Sequence, residues 1–189
     1  MAIFVAGLVV FLGIHSLAIF APELRTRALK GWCEGPWKAG YGLISLIGFA
    51  LIIYGFGAAR LSPVILYTPP QWMRHITLLL MLPVFPLILA AYLPGRIKKA
   101  AKHPMLAAVK FWAFGHLLAN GLLADVLLFG GFLAWAVVDR ISLKRRTQTI
   151  KTAPPGRFND AVAVVLGLAL YALFIGWAHV RLFGVSPLG

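Results

Sequence analysis

Five long stretches of hydrocarbon side chains dominate this chain, at Ala2–Phe20, Ala39–Ala59, His75–Leu93, Met105–Val138 and Ala161–Phe183. A bilayer core of about 30 Å takes roughly 20 residues of helix, so four of these blocks have the length of one crossing. Inside lipid every backbone polar group needs a partner within the protein, and a helix supplies one segment by segment. The pattern therefore predicts an all-α, polytopic membrane helical bundle, organised as a single domain over residues 1–189. A composition that is 61% apolar and 12% charged lies far from that of a soluble domain.

The fourth block is too long for a single span. Asn120-Gly121 at its middle is a turn dipeptide in which Gly121 is free to take positive φ. Splitting there leaves two helices of about 17 residues, near the lower limit for a crossing. Charge chooses between five and six spans. With six, the loops carrying Arg25, Arg27, Lys30 and Lys38, then Arg96, Lys98, Lys99 and Lys102, then Arg140, Lys144, Arg145, Arg146, Lys151 and Arg157 share one side. Lys110 snorkels to that side, and only Arg60, Arg74 and Arg181 of the 18 basic residues lie opposite. Five spans would set the two most basic loops in opposite compartments, against the positive-inside rule. Six transmembrane helices with both termini outside is the expected topology. The basic loops are expected on the cytoplasmic side, next to anionic lipid.

The net charge of +13 invites a nucleic-acid reading, but the cations lie between apolar runs rather than on one folded face, so no nucleic-acid partner is expected. Cys33 is the single cysteine, which excludes an internal disulfide, covalent haem attachment through C-x-x-C-H and thiolate metal clusters. Residues Met1 to Phe20 lack a basic leader and an A-x-A site before Pro22, and read as a retained first helix rather than a cleaved signal.

Loop and kink residues agree with this layout. Pro69-Pro70 and Pro154-Pro155-Gly156 interrupt helices, Pro104 suits a first helical turn, and Asn159 or Asp160 is placed to cap the last helix. Pro83 and Pro86 fall inside the third helix, where they should kink it and open carbonyls for neighbouring helices to satisfy. Gly42, Gly48, Gly55, Gly130 and Gly131 permit close helix contact.

Chemistry is scarce in such a chain, and an ionisable side chain inside the membrane marks a candidate site. His15 lies about a turn and a half from the inner end of the first helix. It needs either a metal or a hydrogen bond to a carbonyl or hydroxyl of another helix. Trp112, His116 and Asn120 recur at i, i+4 and i+8, so one face of the fourth helix carries a large ring, an imidazole and an amide. That stripe fits a planar ring packed by Trp112, or a polar seam between helices. His103, His75 and His179 sit at helix ends, where water solvates them. Asp125, one turn into the fifth helix, has Arg74, His75 and His179 as candidate partners. No H-E-x-x-H, G-x-S-x-G or P-loop is present, and the five acids form no intramembrane pair. The inventory suits a site in which a cofactor supplies reactivity and the protein supplies axial nitrogens, as for haem b.

At these residues the chain resembles the NnrU family of small bacterial inner-membrane proteins associated with nitric oxide and nitrite metabolism. The resemblance is carried by FLGIHSLAIF, HPMLAAVKFWAFGHLLANG and LLFGGFLAWAVVDR. The His-Ser element and the His-Pro with a second histidine thirteen residues on also resemble the 15-cis-zeta-carotene isomerases, relatives held to bind haem b through two histidines. The resemblance implies haem b on His15 and His116, with Trp112 and Asn120 beside them. It implies a role in denitrification and a small partner such as nitric oxide. Alternatives are an isomerase acting on an apolar polyene, or a cofactor-free membrane assembly or transport helper. Lys102 stands where the isomerases carry arginine. A linear count puts His15 and His116 roughly 10 Å apart in depth, and His103 is the alternative partner for His15. Membrane methyltransferases also begin a helix with His-Pro, but pair it with a Glu-Glu element, and here Asp160 is the only acid after Asp139.

Overall fold

In the computed structural model, which describes residues 1–23, 34–146 and 152–189, the regular elements among the described residues are helices, with one isolated backbone bridge between Ile65 and Leu122. They run α1 (Ala2–Phe20), α2 (Glu34–Arg60), α3 (Met73–Met81), α4 (Val84–Tyr92), α5 (Arg96–Ala101), α6 (Pro104–Ala119), α7 (Leu123–Ser142), α8 (Asn159–Leu173) and α9 (His179–Phe183). A wider π turn at Phe174–Ala178 joins α8 to α9, so Asn159–Phe183 is one rod of 25 residues. Cys33 and the loop cations Arg25, Arg27, Lys30 and Lys151 lie outside the described residues.

Four rods are long and apolar enough to cross a membrane: Ala2–Phe20, Gly35–Arg60, Met73–Tyr92 and Asn159–Phe183. Pro104–Ala119 is a shorter apolar helix. α7, at 20 residues, confines its charges to Asp125 near one end and Asp139 and Arg140 near the other. Leu43, Leu46, Ile53, Val165 and Leu182 are among the many large apolar side chains left exposed. Apolar faces of that kind need hydrocarbon around them, and the chain is a multi-pass membrane protein.

The chain forms two compact units, Met1–Thr68 with Gly121–Ser142, and Pro69–Asn120 with Leu143–Gly189. In the first, α1 and α2 approach so closely that a Cβ on Gly48 would lie 2.8 Å from the Phe11 nitrogen, and one on Gly55 would strike the Phe4 backbone. Phe4, fully buried, forms the core with Leu8, Ile52, Ala59 and Ala124. Gly42 and Gly130, expected to mediate the same kind of contact, face open space, and Gly131 makes only ordinary contact with Leu12. Their helix faces point away from the seam.

The long apolar block does break where Asn120-Gly121 predicts, because α6 ends at Ala119 and Asn120 turns extended. The expected reason needs correcting. Gly121 is not among the positive-φ glycines, which are Gly184 and Gly189. The Tyr67 carbonyl packs where a Gly121 Cβ would project. The N–H groups of Leu66 and Tyr67 both donate to the Gly121 carbonyl, at 2.9 and 3.2 Å, and the Leu123 N–H donates to Val64 at 2.8 Å. Close approach, not dihedral freedom, demands glycine there.

In the second unit the proline break appears as expected between α3 and α4. Pro83 has no N–H for the helix ladder, and the Leu82 N–H shortens its reach to the Leu79 carbonyl at 3.3 Å. That leaves the Leu78 carbonyl without its usual i+4 donor. Tyr171 of α8 donates its hydroxyl to Leu78 at 2.8 Å. α8 comes this near because Gly167 lies against Pro86, with a would-be Cβ 2.7 Å from the proline Cα.

The expected cap of the last helix needs a second correction. Its N-cap position is Phe158, and no side chain caps it. Asp160 instead accepts the N–H groups of Arg96 and Ile97 at 2.7 and 3.1 Å, capping the first turn of α5 from a distance in sequence. Asn159 donates to the carbonyls of Pro94 at 2.9 Å and Pro154 at 3.1 Å. The amides of α5 take the Asp160 carboxylate from those of α8, because α5 begins beside it.

Candidate functional site

Each unit presents its own histidine. In the first, His15 turns Nδ1 to the Phe11 carbonyl at 2.7 Å, one helical turn back. A carbonyl oxygen only accepts, so Nδ1 carries the proton and Nε2 keeps its lone pair. The ring stacks on Phe11 at 4.3 Å between centroids, with Tyr41 of α2 at 5.4 Å and the edge of Trp135 of α7 at 6.1 Å. Three helices thus build an aromatic box around one imidazole.

Within this box Trp135 was not anticipated from sequence. Its Nε1 is buried and has no hydrogen-bond partner among the described residues. The residue sits in the quoted LLFGGFLAWAVVDR stretch, but an indole in an apolar helix reads as packing until the surroundings of its N–H are known. Tyr41, at the basic end of α2, gives no signal of its own either.

In the second unit, α6 carries Trp112 and His116 one turn apart, while Asn120 lies just past the helix end in extended backbone, so the expected three-residue helical stripe stops at His116. His116 Nδ1 faces the Trp112 carbonyl at 2.9 Å, again leaving Nε2 as the lone-pair nitrogen, and the two rings lie 5.7 Å apart. Asn120 donates its amide to the His116 carbonyl at 2.9 Å, closing the helix end beneath the imidazole. Thr77 of α3 donates to the Gly115 carbonyl at 2.8 Å and ties this turn of α6 to its neighbour.

His103 is the N-cap residue of α6, at φ −131 and ψ 72, outside the α region that the following proline disfavours. Thirteen residues of helix separate it from His116, about 20 Å along the axis, so these two cannot share one iron. Just before it, Lys102 holds φ 60 and ψ −49. The His103 N–H meets the Ala101 carbonyl at 2.6 Å across it, a γ-turn of the strained, positive-φ kind. His75 is exposed, with Nδ1 3.3 Å from the Trp72 carbonyl, whereas His179 sits between Phe174 and Phe183 with Nδ1 2.7 Å from the Val185 carbonyl.

Asp125 is buried at 6% exposure in the first turn of α7. In its own unit it meets the Leu122 N–H and the charge of Arg60, a partner missing from the sequence reading because α2 ends far away in the chain. Outside the spans, loss of solvent and then the Asp125 carboxylate push the Tyr67 phenol above its ordinary range. Among the described residues no three of His, Cys, Asp or Glu gather as a protein-only metal site requires.

The fold and these sites define a class: multi-pass helical membrane proteins that offer single imidazoles, each oriented by its own helix. The family model described as NnrU protein matches residues 3–187, so the chain belongs to the NnrU family. No curated protein and no solved structure matches it.

Proposed function

We propose that this chain is an inner-membrane haem b protein serving nitric oxide and nitrite metabolism, with His15 and His116 as the iron ligands. One observation carries the reading. Both histidines donate Nδ1–H to the carbonyl one turn back, at 2.7 and 2.9 Å, which makes Nε2 the nitrogen with the lone pair. Metal-bound imidazoles are oriented in this way. The donor set fits haem, which needs one or two nitrogens, better than a bare ion, which needs three or four ligands.

When bound, haem b would supply one-electron chemistry. The residues have separate tasks. Phe11, Tyr41 and Trp135 keep water from His15, and Trp112 offers an indole face beside His116. Asn120 secures the turn that carries it.

The visible spectrum of the full chain, purified in detergent from cells with ample haem, tests this. A Soret band is expected, and His15→Ala and His116→Ala should each shift or abolish it. No Soret band overturns the reading in favour of a cofactor-free helper, and a variant with an unchanged spectrum removes that histidine from the site. Nitrite and nitric oxide turnover in a strain lacking the chain, set against conversion of a cis-polyene by the purified protein, decides between the denitrification role and an isomerase.

A further inference from the structure

Trp135 holds the one buried side-chain donor that stands unpaired among the described residues. An N–H removed from water and given no acceptor is destabilising, and native proteins keep few of them. The nearby hydroxyls do not resolve it. Ser16, beside His15, donates to the Leu12 carbonyl at 2.6 Å, and Ser45, one turn beyond Tyr41, donates to the Tyr41 carbonyl at 2.8 Å. His15 has turned its protonated nitrogen to Phe11 at 2.7 Å. The box therefore contains a lone pair on His15 and, on the indole edge-on to it at 6.1 Å and 88°, a hydrogen with nothing to receive it.

We infer that Trp135 donates its indole N–H to a carboxylate of the prosthetic group whose iron His15 binds, an inference that rests on the haem reading above. The periphery of haem b carries methyl, vinyl and two propionate groups, and its ring nitrogens are taken by iron. Only the carboxylates can accept this hydrogen. A charge-assisted N–H···O⁻ bond is roughly twice as strong as a neutral one, and stronger still away from water. Charge at this end of α7 agrees. Trp135 lies near the helix end that carries Arg140, with Lys144, Arg145 and Arg146 beyond. Asp139 is the acid on the same face, and its carboxylate is already met by the Ser142 hydroxyl at 3.4 Å. Trp135 is a positioning residue: it sets which edge of the group points to the basic side, and touches neither iron nor substrate.

The test uses the full chain, purified without haem and titrated with haem and with haem dimethyl ester, whose carboxylates are masked. Wild type should prefer the free acid by about tenfold or more, the usual weight of a hydrogen bond to a charged group. Trp135→Phe, which keeps an aromatic ring and loses the N–H, should bind haem about tenfold more weakly and lose most of that preference. Equal binding of acid and ester by wild type overturns the inference while the haem reading stands, and this arm needs no variant to fold. A Trp135→Phe protein that keeps the full preference overturns it as well. Failure of wild type to bind either porphyrin overturns both.

Discussion

Gly167→Ala should force apart two helices that now meet backbone to backbone. The new Cβ would sit 2.7 Å from the Pro86 Cα, where ordinary contact begins near 3.4 Å. α8 and α4 must therefore part by something approaching 1 Å, because neither backbone can turn aside as a side chain would. A gap of that size forfeits a quarter to a half of the dispersion energy of each contact along the seam. Overpacking of this kind costs about 1–3 kcal/mol. The same movement stretches the Tyr171–Leu78 bond from 2.8 Å towards the limit of a hydrogen bond, adding the roughly 0.6 kcal/mol typical of a membrane interhelical bond. The expected total is about 2–3 kcal/mol, against about 0.6 kcal/mol for Tyr171→Phe alone. Reversible unfolding in detergent micelles or bicelles measures both. The double variant should cost no more than Gly167→Ala, since the hydrogen bond is already lost in that background. A Gly167→Ala cost below about 0.5 kcal/mol, or full additivity with Tyr171→Phe, would refute the close seam that the argument assumes.

Further outcomes follow from the loops. Asp160→Ala should lower stability by about 1–2 kcal/mol, the usual cost of a lost N-terminal cap, and should free the α5 amides for hydrogen exchange; an α8-specific effect instead would return the cap to its own helix. Lys102→Gly should be stabilising by about 1 kcal/mol, because relief of positive-φ strain exceeds the entropy of the glycine; a net loss in thermal unfolding would show that the turn is unstrained. Tyr67 should ionise above its ordinary 10.0. Its folded value is raised, so its stabilising contribution is complete below the unfolded value and is lost as pH rises through the folded one. The phenolate absorbance that disappears in Tyr67→Phe reports the midpoint. Asp125→Asn should bring it partway down, with burial holding the rest, and a midpoint at or below 10.0 in wild type defeats the reading.

How far the sequence carries the site is clearest on α6. Trp112 and His116 could be placed on one face from spacing alone, since a helix converts i and i+4 into neighbours whatever surrounds it, but Asn120 lies past the helix end and reaches His116 only through its side-chain amide. His15 was recognisable as a candidate because an imidazole in hydrocarbon is rare. Its box was not, for Tyr41 and Trp135 come from two other helices, and the unpaired state of an indole N–H is a property of everything around it.

The same division runs through the whole protein. Hydropathy and charge are sums over adjacent residues, so the chain itself determined the membrane-spanning rods, the break at Asn120, the proline interruption after Leu82 and the histidines worth testing. Which atom answers which depends on elements distant in sequence, and only the folded arrangement decided that. Through it Asp160 serves α5 rather than its own helix, Gly121 yields to the Tyr67 carbonyl, Tyr171 finds the carbonyl that the prolines released, and Arg60 faces Asp125. A helix satisfies its interior by local rules, but its ends, kinks and closest contacts are completed by whatever partner the tertiary fold brings within reach.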